Sequence, residues 1–252
     1  MNPLTIDILT YNIHKGFTIG NRDFVLHQMR EKLHASNIDI VFLQEIHGRH
    51  LHHEERINGW PAKSQFEFLA DNIWPHYKYG KNAIYNAGHH GNAILSKFPF
   101  VHWENLNISR LRRASRSILY GVVSIPDPHM HLHVICIHLD FIAIERERQF
   151  RALRDWFHTK IPAGEPVILA GDFNDWRGKV SRGITRELAM KEIFQELHGN
   201  HARTFPSMFP LLPLDRIFYR DLVPVDCLCY RNHPWHKLSD HLPLHARFQF
   251  NN

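Results

Sequence analysis

Apolar runs that stop abruptly at an acid, an amide or a histidine recur along the whole chain, and this feature constrains the fold most. ILTY stops near Asn12, IVFLQ at Glu45, HVICI at His138 with Asp140 close behind, and VILAG just before Asp172 and Asn174. Asp215 stands beside Leu214, and Ser239-Asp240-His241 precedes the last apolar stretch. Short apolar runs bounded by Gly and Pro read as strands. KYGKNAIY, GNAILSK, VHWENLNIS, RSILYGVVSI, LDRIFYR and VPVDCLCY join the set, punctuated at Gly88, Gly91, Pro99, Pro126 and Pro128. Helical spacing is rarer. Val25, Met29 and Leu33 fall at i, i+4, i+8, and Phe150, Leu153 and Phe157 at i, i+3, i+7 within about 144–159. A short helix fits 63–73 around Phe66, Leu69 and Ala70, and 176–213 reads as mixed. About a dozen strands against three or four helices predicts an α+β fold, with sheets packed face to face and helices outside.

With 252 residues, 44% hydrophobic and 22% charged, the composition excludes a disordered, collagenous or coiled-coil chain. A chain of this length buries roughly three quarters of its unfolded surface, so its core needs no staples. No linker or low-complexity tract divides it, and a single catalytic domain over 1–252 is expected. Cys136, Cys227 and Cys229 form no CxxC pair, which points to small buried thiols in a reducing compartment. Asp7 sits where a secretory signal would be most apolar, and no run approaches the roughly 18 apolar residues of a spanning helix. The expectation is a cytoplasmic monomer without a transmembrane segment; secretion through an uncleaved signal stays open. The formal charge of +5 suits an anionic partner without identifying one.

Carboxylates and Asn amides gathered at strand ends are oxygen donors, suited to a hard cation such as Mg²⁺ or Mn²⁺. TYNIHKG, FLQE, GNAILSKFP, IHLD, GDFND, LDRIF and SDHLPL follow one another over roughly residues 8–245. In this order they resemble the endonuclease/exonuclease/phosphatase superfamily, which includes deoxyribonucleases, abasic-site endonucleases, sphingomyelinases and inositol-phosphate phosphatases. The resemblance implies a four-layer α/β/β/α sandwich, two mixed sheets between helical layers, with the site at one rim. It implies Glu45 as the principal metal ligand, with Asn12 and Asp240 beside that metal or its water shell. It implies that Asp172 and Asn174 orient water and phosphate, and that Asp215 holds a catalytic His241. A carboxylate in that position fixes the imidazole tautomer and favours its charged form. His138 matches the deoxyribonuclease-like and sphingomyelinase-like branches. Arg116 falls where that branch places a phosphate-contacting arginine, with Arg110, Arg112 and Arg113 competing for the role.

The expected activity is a Mg²⁺-dependent (or Mn²⁺-dependent) phosphoric ester hydrolase, using one ion or two. A lipid headgroup or small phosphodiester is the favoured substrate. Cleavage of DNA or RNA, or a phosphomonoesterase activity, is the alternative. LDRI lacks the Trp and Cys that precede DRI in inositol-phosphate phosphatases, which argues against the monoester. HGRHLHHEE (47–55) fits no standard zinc spacing and reads as a solvated loop. His89-His90 reads as a border of the site or as loop decoration, and RLRRASR (110–116) as a clamp for a polyanion or as a charged loop with one functional arginine. Trp176 and Trp235 are placed to touch substrate, while Trp60, Trp74, Trp103 and Trp156 read as core. FPSMFPLLPLDR (205–216), with Phe205, Met208, Phe209, Leu211 and Leu212, reads either as an apolar rim loop or as core.

Overall fold

The computed structural model describes residues 4–109, 116–126 and 130–251, so Arg110, Arg112, Arg113 and Pro128 lie outside the described residues. The first half of the chain runs β1 (Thr5–Asn12), α1 (Leu26–His34), β2 (Ile40–His50), α2 (Leu51–Arg56), α3 (Gln65–Ala70), β3 (His76–Tyr85) and β4 (Gly88–Ser96). It continues with β5 (Phe100–Asn107), β6 (Ser117–Ser124), β7 (His131–His138), α4 (Ala143–Lys160) and β8 (Val167–Asp172). Then come α5 (Lys179–Glu187), β9 (Lys191–Glu192), α6 (Ile193–His198), β10 (Asp215–Arg220), β11 (Leu222–Cys229), α7 (Trp235–Leu238) and β12 (Leu244–Phe250).

The strands form two six-stranded sheets, in the orders β11-β12-β1-β2-β4-β3 and β5-β6-β7-β8-β10-β9. Both are mixed: β1–β2 and β7–β8 are parallel pairs, and β1–β12 and β8–β10 are antiparallel. Side chains alternate between the faces of a strand. In β1 and β2, Ile6, Ile8, Ile40 and Phe42 point between the sheets, against Val134, Ile168 and Ile217 of the second sheet. Leu9, Tyr11, Val41 and Leu43 point the other way, onto Leu26, Met29 and Leu33 of α1 and Leu69 of α3. A strand buried on both faces needs apolar residues at nearly every position, which is why ILTY and IVFLQ read as continuous runs. On the far side, Phe150, Leu153 and Phe157 of α4 cover Ile135, Ile137 and Leu169. The result is the four-layer sandwich: helices, sheet, sheet, helices. Phe42, fully buried between the sheets, contributes about 2–3 kcal/mol by the area it hides.

The HGRHLHHEE reading is overturned. Residues 47–50 prolong β2, which pairs with β4 as far as His50 opposite Gly88, and the following residues form α2. The ladder takes up the backbone polar groups there, and His47 is buried. His89 and His90 lie on β4 and decorate no loop. Trp103 is exposed on β5, under the Lys78 ammonium at 5.4 Å. Cys136 and Cys227 are buried free thiols, Cys229 a half-buried one.

Candidate active site

In the second sheet three strand ends lie level. His138 is opposite Asp172 across the parallel β7–β8 pair, and Asp215 is opposite Asp172 across the antiparallel β8–β10 pair. Gly171 permits this: its φ is +147°, and a Cβ there would sit 1.9 Å from the Ile137 carbonyl oxygen. His241 Nδ1 donates to Asp215 Oδ2 at 2.8 Å, and the Thr204 hydroxyl donates to the same oxygen. The other ring nitrogen, His241 Nε2, lies 3.9 Å from Asp172 Oδ2. His138 Nε2 is 3.4 Å from that oxygen, and His138 Nδ1 accepts from Arg116 Nη1 at 3.2 Å. Asn174 adopts φ +50°, so that its amide donates to Asp172 Oδ1 at 2.9 Å and its Nδ2 to the Leu139 carbonyl at 3.1 Å. Such left-handed backbone disfavours most side chains by about 1–2 kcal/mol, and Asn tolerates it best.

The first sheet supplies the other half. Asn12 ends β1 opposite Gln44. The next residue, Glu45, sits at φ +55° where the β2–β4 register shifts between Leu43 and Ile46. A bulge of this kind re-aims a side chain out of the ladder. Asn12 Nδ2 donates to Asp172 Oδ2 at 3.2 Å, and Ser239 Oγ donates to the Asn12 carbonyl at 2.7 Å. Asp240 Oδ2 is 3.4 Å and Glu45 Oε2 3.8 Å from His14 Nδ1, and Lys15 Nζ is 3.1 Å from Glu45 Oε2. His14 and Lys15 fall within TYNIHKG, where the sequence alone predicts no role for them. Their only signal was adjacency to Asn12, and both have positive φ, 45° and 58°. Asp140 stands apart from this set, its Oδ1 accepting from the Ile142 amide at 2.8 Å.

Burial alone would depress the His241 imidazolium, but Asp215 outweighs it and raises the group to about 10. Burial likewise raises the Asp172 carboxyl, to about 7 against the pull of His241. His138 is pushed well below its ordinary value by burial and by Arg116. At neutral pH one histidine is therefore charged and the other neutral. Burial opposes ionisation of Glu45, yet the basic groups around it, with Lys15 closest, hold its carboxyl below the usual range. Asp215 Oδ1 is buried and accepts no hydrogen bond, and buried Glu45 Oε2 meets the Lys15 ammonium at 3.1 Å. Ligand atoms of Asp172, Asp215 and His241 lie within 4.8 Å of one another. Carboxylate oxygens gathered in such a setting, one of them without a partner, fit a divalent cation.

Trp235 packs edge-on against Tyr11 at 5.8 Å and stacks on Tyr230 at 5.4 Å. Trp176 lies against Phe141 at 5.1 Å, with the Arg146 guanidinium 5.1 Å over its ring. Residues 205–212 form a loop whose Phe205 ring is 5.0 Å from His241 and whose Phe209 and Leu211 are exposed.

Residues 9–241 match the model of the Endonuclease/Exonuclease/phosphatase family. The chain is 43% identical over 239 residues to a protein of Escherichia coli (strain K12) named Uncharacterized protein YbhP, covering 95% of this chain and 94% of that one. An endonuclease/exonuclease/phosphatase from Beutenbergia cavernae has the same fold, with a TM-score of 0.76 at 18% identity over 98% of this chain and 72% of its own. The human Nocturnin catalytic domain, solved with a bound sulfate anion, has a TM-score of 0.74 at 18% identity over 99% of this chain and 96% of its own.

Proposed function

The chain belongs to the endonuclease/exonuclease/phosphatase family, whose members are generally hydrolases acting on phosphoesters, and from that premise we propose that it is a divalent-metal-dependent phosphodiesterase for a lipid headgroup or similar small diester. Glu45, Asn12 and Asp240 would hold Mg²⁺, or Mn²⁺ in its place. The ion, when bound, neutralises charge that develops on the phosphoryl oxygens.

The residues of the chain do the rest. Asp172, once ionised, accepts a hydrogen bond from the attacking water, and Asn174 orients the phosphate. Charged His241 donates its Nε2 proton to a phosphoryl oxygen, while Asp215 positions the ring from the other side. With His138 Nδ1 accepting from Arg116, the proton of His138 sits on Nε2 and is offered to the phosphate or the leaving oxygen. Arg116 keeps a buried Nε without a partner as a further donor. Each fixed donor of this kind is worth about 10²–10³ in turnover.

The observation that carries the choice of substrate is the apolar border of the rim. Phe209 is 75% exposed on a loop fastened to the site, where the Ser207 amide donates to the Asp240 carbonyl at 2.8 Å. Phe141 is 64% exposed just beyond β7, with Ile142 and Ile144 exposed beside it. Large apolar side chains held out on both flanks of a polar centre match a surface that enters a lipid interface. The test is a substrate panel in Mg²⁺: mixed phospholipid micelles, a soluble aryl phosphodiester, an aryl phosphomonoester and duplex DNA. Turnover highest on the micelles, measurable on the soluble diester and weak on the other two supports the reading. Efficient cleavage of DNA, or of the monoester, contradicts it.

A further inference from the structure

Beside the oxygen-rich centre, but chemically unlike it, a second group of side chains converges. β2 carries His47 as its last buried residue, His50 caps α2, and His53 lies in the first turn of that helix. One ring nitrogen of each lies within 4.8 Å of those of the other two. His90, opposite His47 in the β2–β4 ladder, brings a fourth imidazole to 6.0 Å from the His47 ring. The four line a cleft of about 510 Å³ together with Phe17 and Tyr85.

Two features go beyond proximity. First, Nδ1 of His47, His53 and His90 is buried without a hydrogen-bond partner in all three residues, and His47 itself is only 1% exposed. Buried polar atoms without partners are rare in folded proteins. Second, His47 Nε2 lies 2.9 Å from the Tyr85 hydroxyl, which fixes the ring and leaves Nδ1 as its uncommitted nitrogen. An outer-sphere hydrogen bond that orients the imidazole is the usual companion of a metal-bound histidine. Phe17 and Trp60 wall the group on the apolar side, with ring centroids 5.5 and 5.0 Å from His53.

We propose that His47, His50 and His53 form a second metal site, for a borderline divalent ion of the Zn²⁺ type, with His90 available as a fourth ligand. Nitrogen donors without a carboxylate among them select Zn²⁺, Ni²⁺ or Cu²⁺ over Mg²⁺. A tetrahedral ion with bonds near 2.0 Å sets its ligand atoms about 3.3 Å apart. Turning the half-buried rings of His50 and His53 closes the remaining gap. The two rings then give up their stacking at 3.5 Å, and His50 the bond by which its Nδ1 accepts from the His53 amide at 3.2 Å. An ion there ties α2 and β4 to β2 at His47, two residues beyond Glu45. This inference does not depend on the phosphodiesterase reading.

The experiment is titration of Zn²⁺ into the full chain saturated with Mg²⁺, by calorimetry, followed by X-ray absorption at the zinc edge. The proposal predicts one tight equivalent with imidazole scattering in the wild type and in Glu45→Gln. It predicts at least about a tenfold loss of affinity in His50→Ala and His53→Ala. His52→Ala, changed on the exposed side of α2, keeps full affinity. Circular dichroism confirms that each variant is folded. Absence of tight Zn²⁺ binding, or binding lost in Glu45→Gln and kept in a His50→Ala/His53→Ala double variant, overturns it.

Discussion

Asn12 Nδ2 donates to Asp172 Oδ2 at 3.2 Å, joining the end of β1 in one sheet to the end of β8 in the other. The two residues are 160 positions apart in sequence, and the bond is buried. Neither sheet holds a complete site. Glu45 and Asp240 come from the first sheet and the loop before β12, while Asp172, Asp215 and His138 come from the second. The core between the sheets therefore sets the geometry at the rim.

Asp215 and His241 are expected to work as one unit. Asp215→Ala and His241→Ala should each lower turnover on a soluble diester by orders of magnitude, with thermal unfolding shifted only slightly. The double variant should lose little more than the worse single one, because residues acting together share one loss. Multiplying losses in steady-state kinetics would show that the two act separately.

The His241 proton should resist removal. Its folded-state value, raised from 6.5 to about 10 by Asp215 over the opposing effect of burial, lies above the unfolded value. The stability it contributes is thus fully present below about pH 6.5 and is lost as pH rises through 10. Histidine NMR titration of the metal-free protein should show this ring charged at pH 8, and losing its proton at much lower pH in Asp215→Asn, where burial is no longer offset by that charge. A wild-type ring that loses its proton between pH 6 and 7 contradicts the assignment.

Much of this was legible in the sequence, because a strand buried on both faces writes itself as an apolar run, and the residue after the run marks the rim. Asn12 and Asp172 stand out that way, whereas Asp215 opens its strand. What the sequence hid was register and local backbone. Nothing in GDFND or LDRIF states that Asp172 and Asp215, 43 positions apart, lie opposite each other, since pairing joins strands distant in sequence. His14 and Lys15 turn toward Glu45 through left-handed backbone that no periodicity announces. Residues 47–55 read as a loop for a related reason: their polar side chains hide a strand running into a helix. α7, four residues long, is too short to show a helical period.

The apolar border should matter only at an interface. Phe209→Ser with Phe141→Ser should lower activity on phospholipid micelles about tenfold or more, since each lost apolar contact weakens insertion. Activity on a soluble aryl diester should be unchanged, because neither side chain has a polar atom at the centre. Equal losses on both substrates would mean that these residues shape the site and not its docking.

The central claim is that a divalent ion held through Glu45 supports hydrolysis of a phosphodiester. The most direct measurement is kcat/KM on a soluble aryl phosphodiester as a function of Mg²⁺, for the wild type and for Glu45→Gln, with chelator-treated protein as the zero point. The account predicts saturable dependence on Mg²⁺ in the wild type, negligible activity in chelator, and a loss of about 10²-fold or more in Glu45→Gln that added Mg²⁺ only partly restores. Full activity in chelator, or a Glu45→Gln protein with wild-type kcat/KM and the same Mg²⁺ dependence, would contradict it.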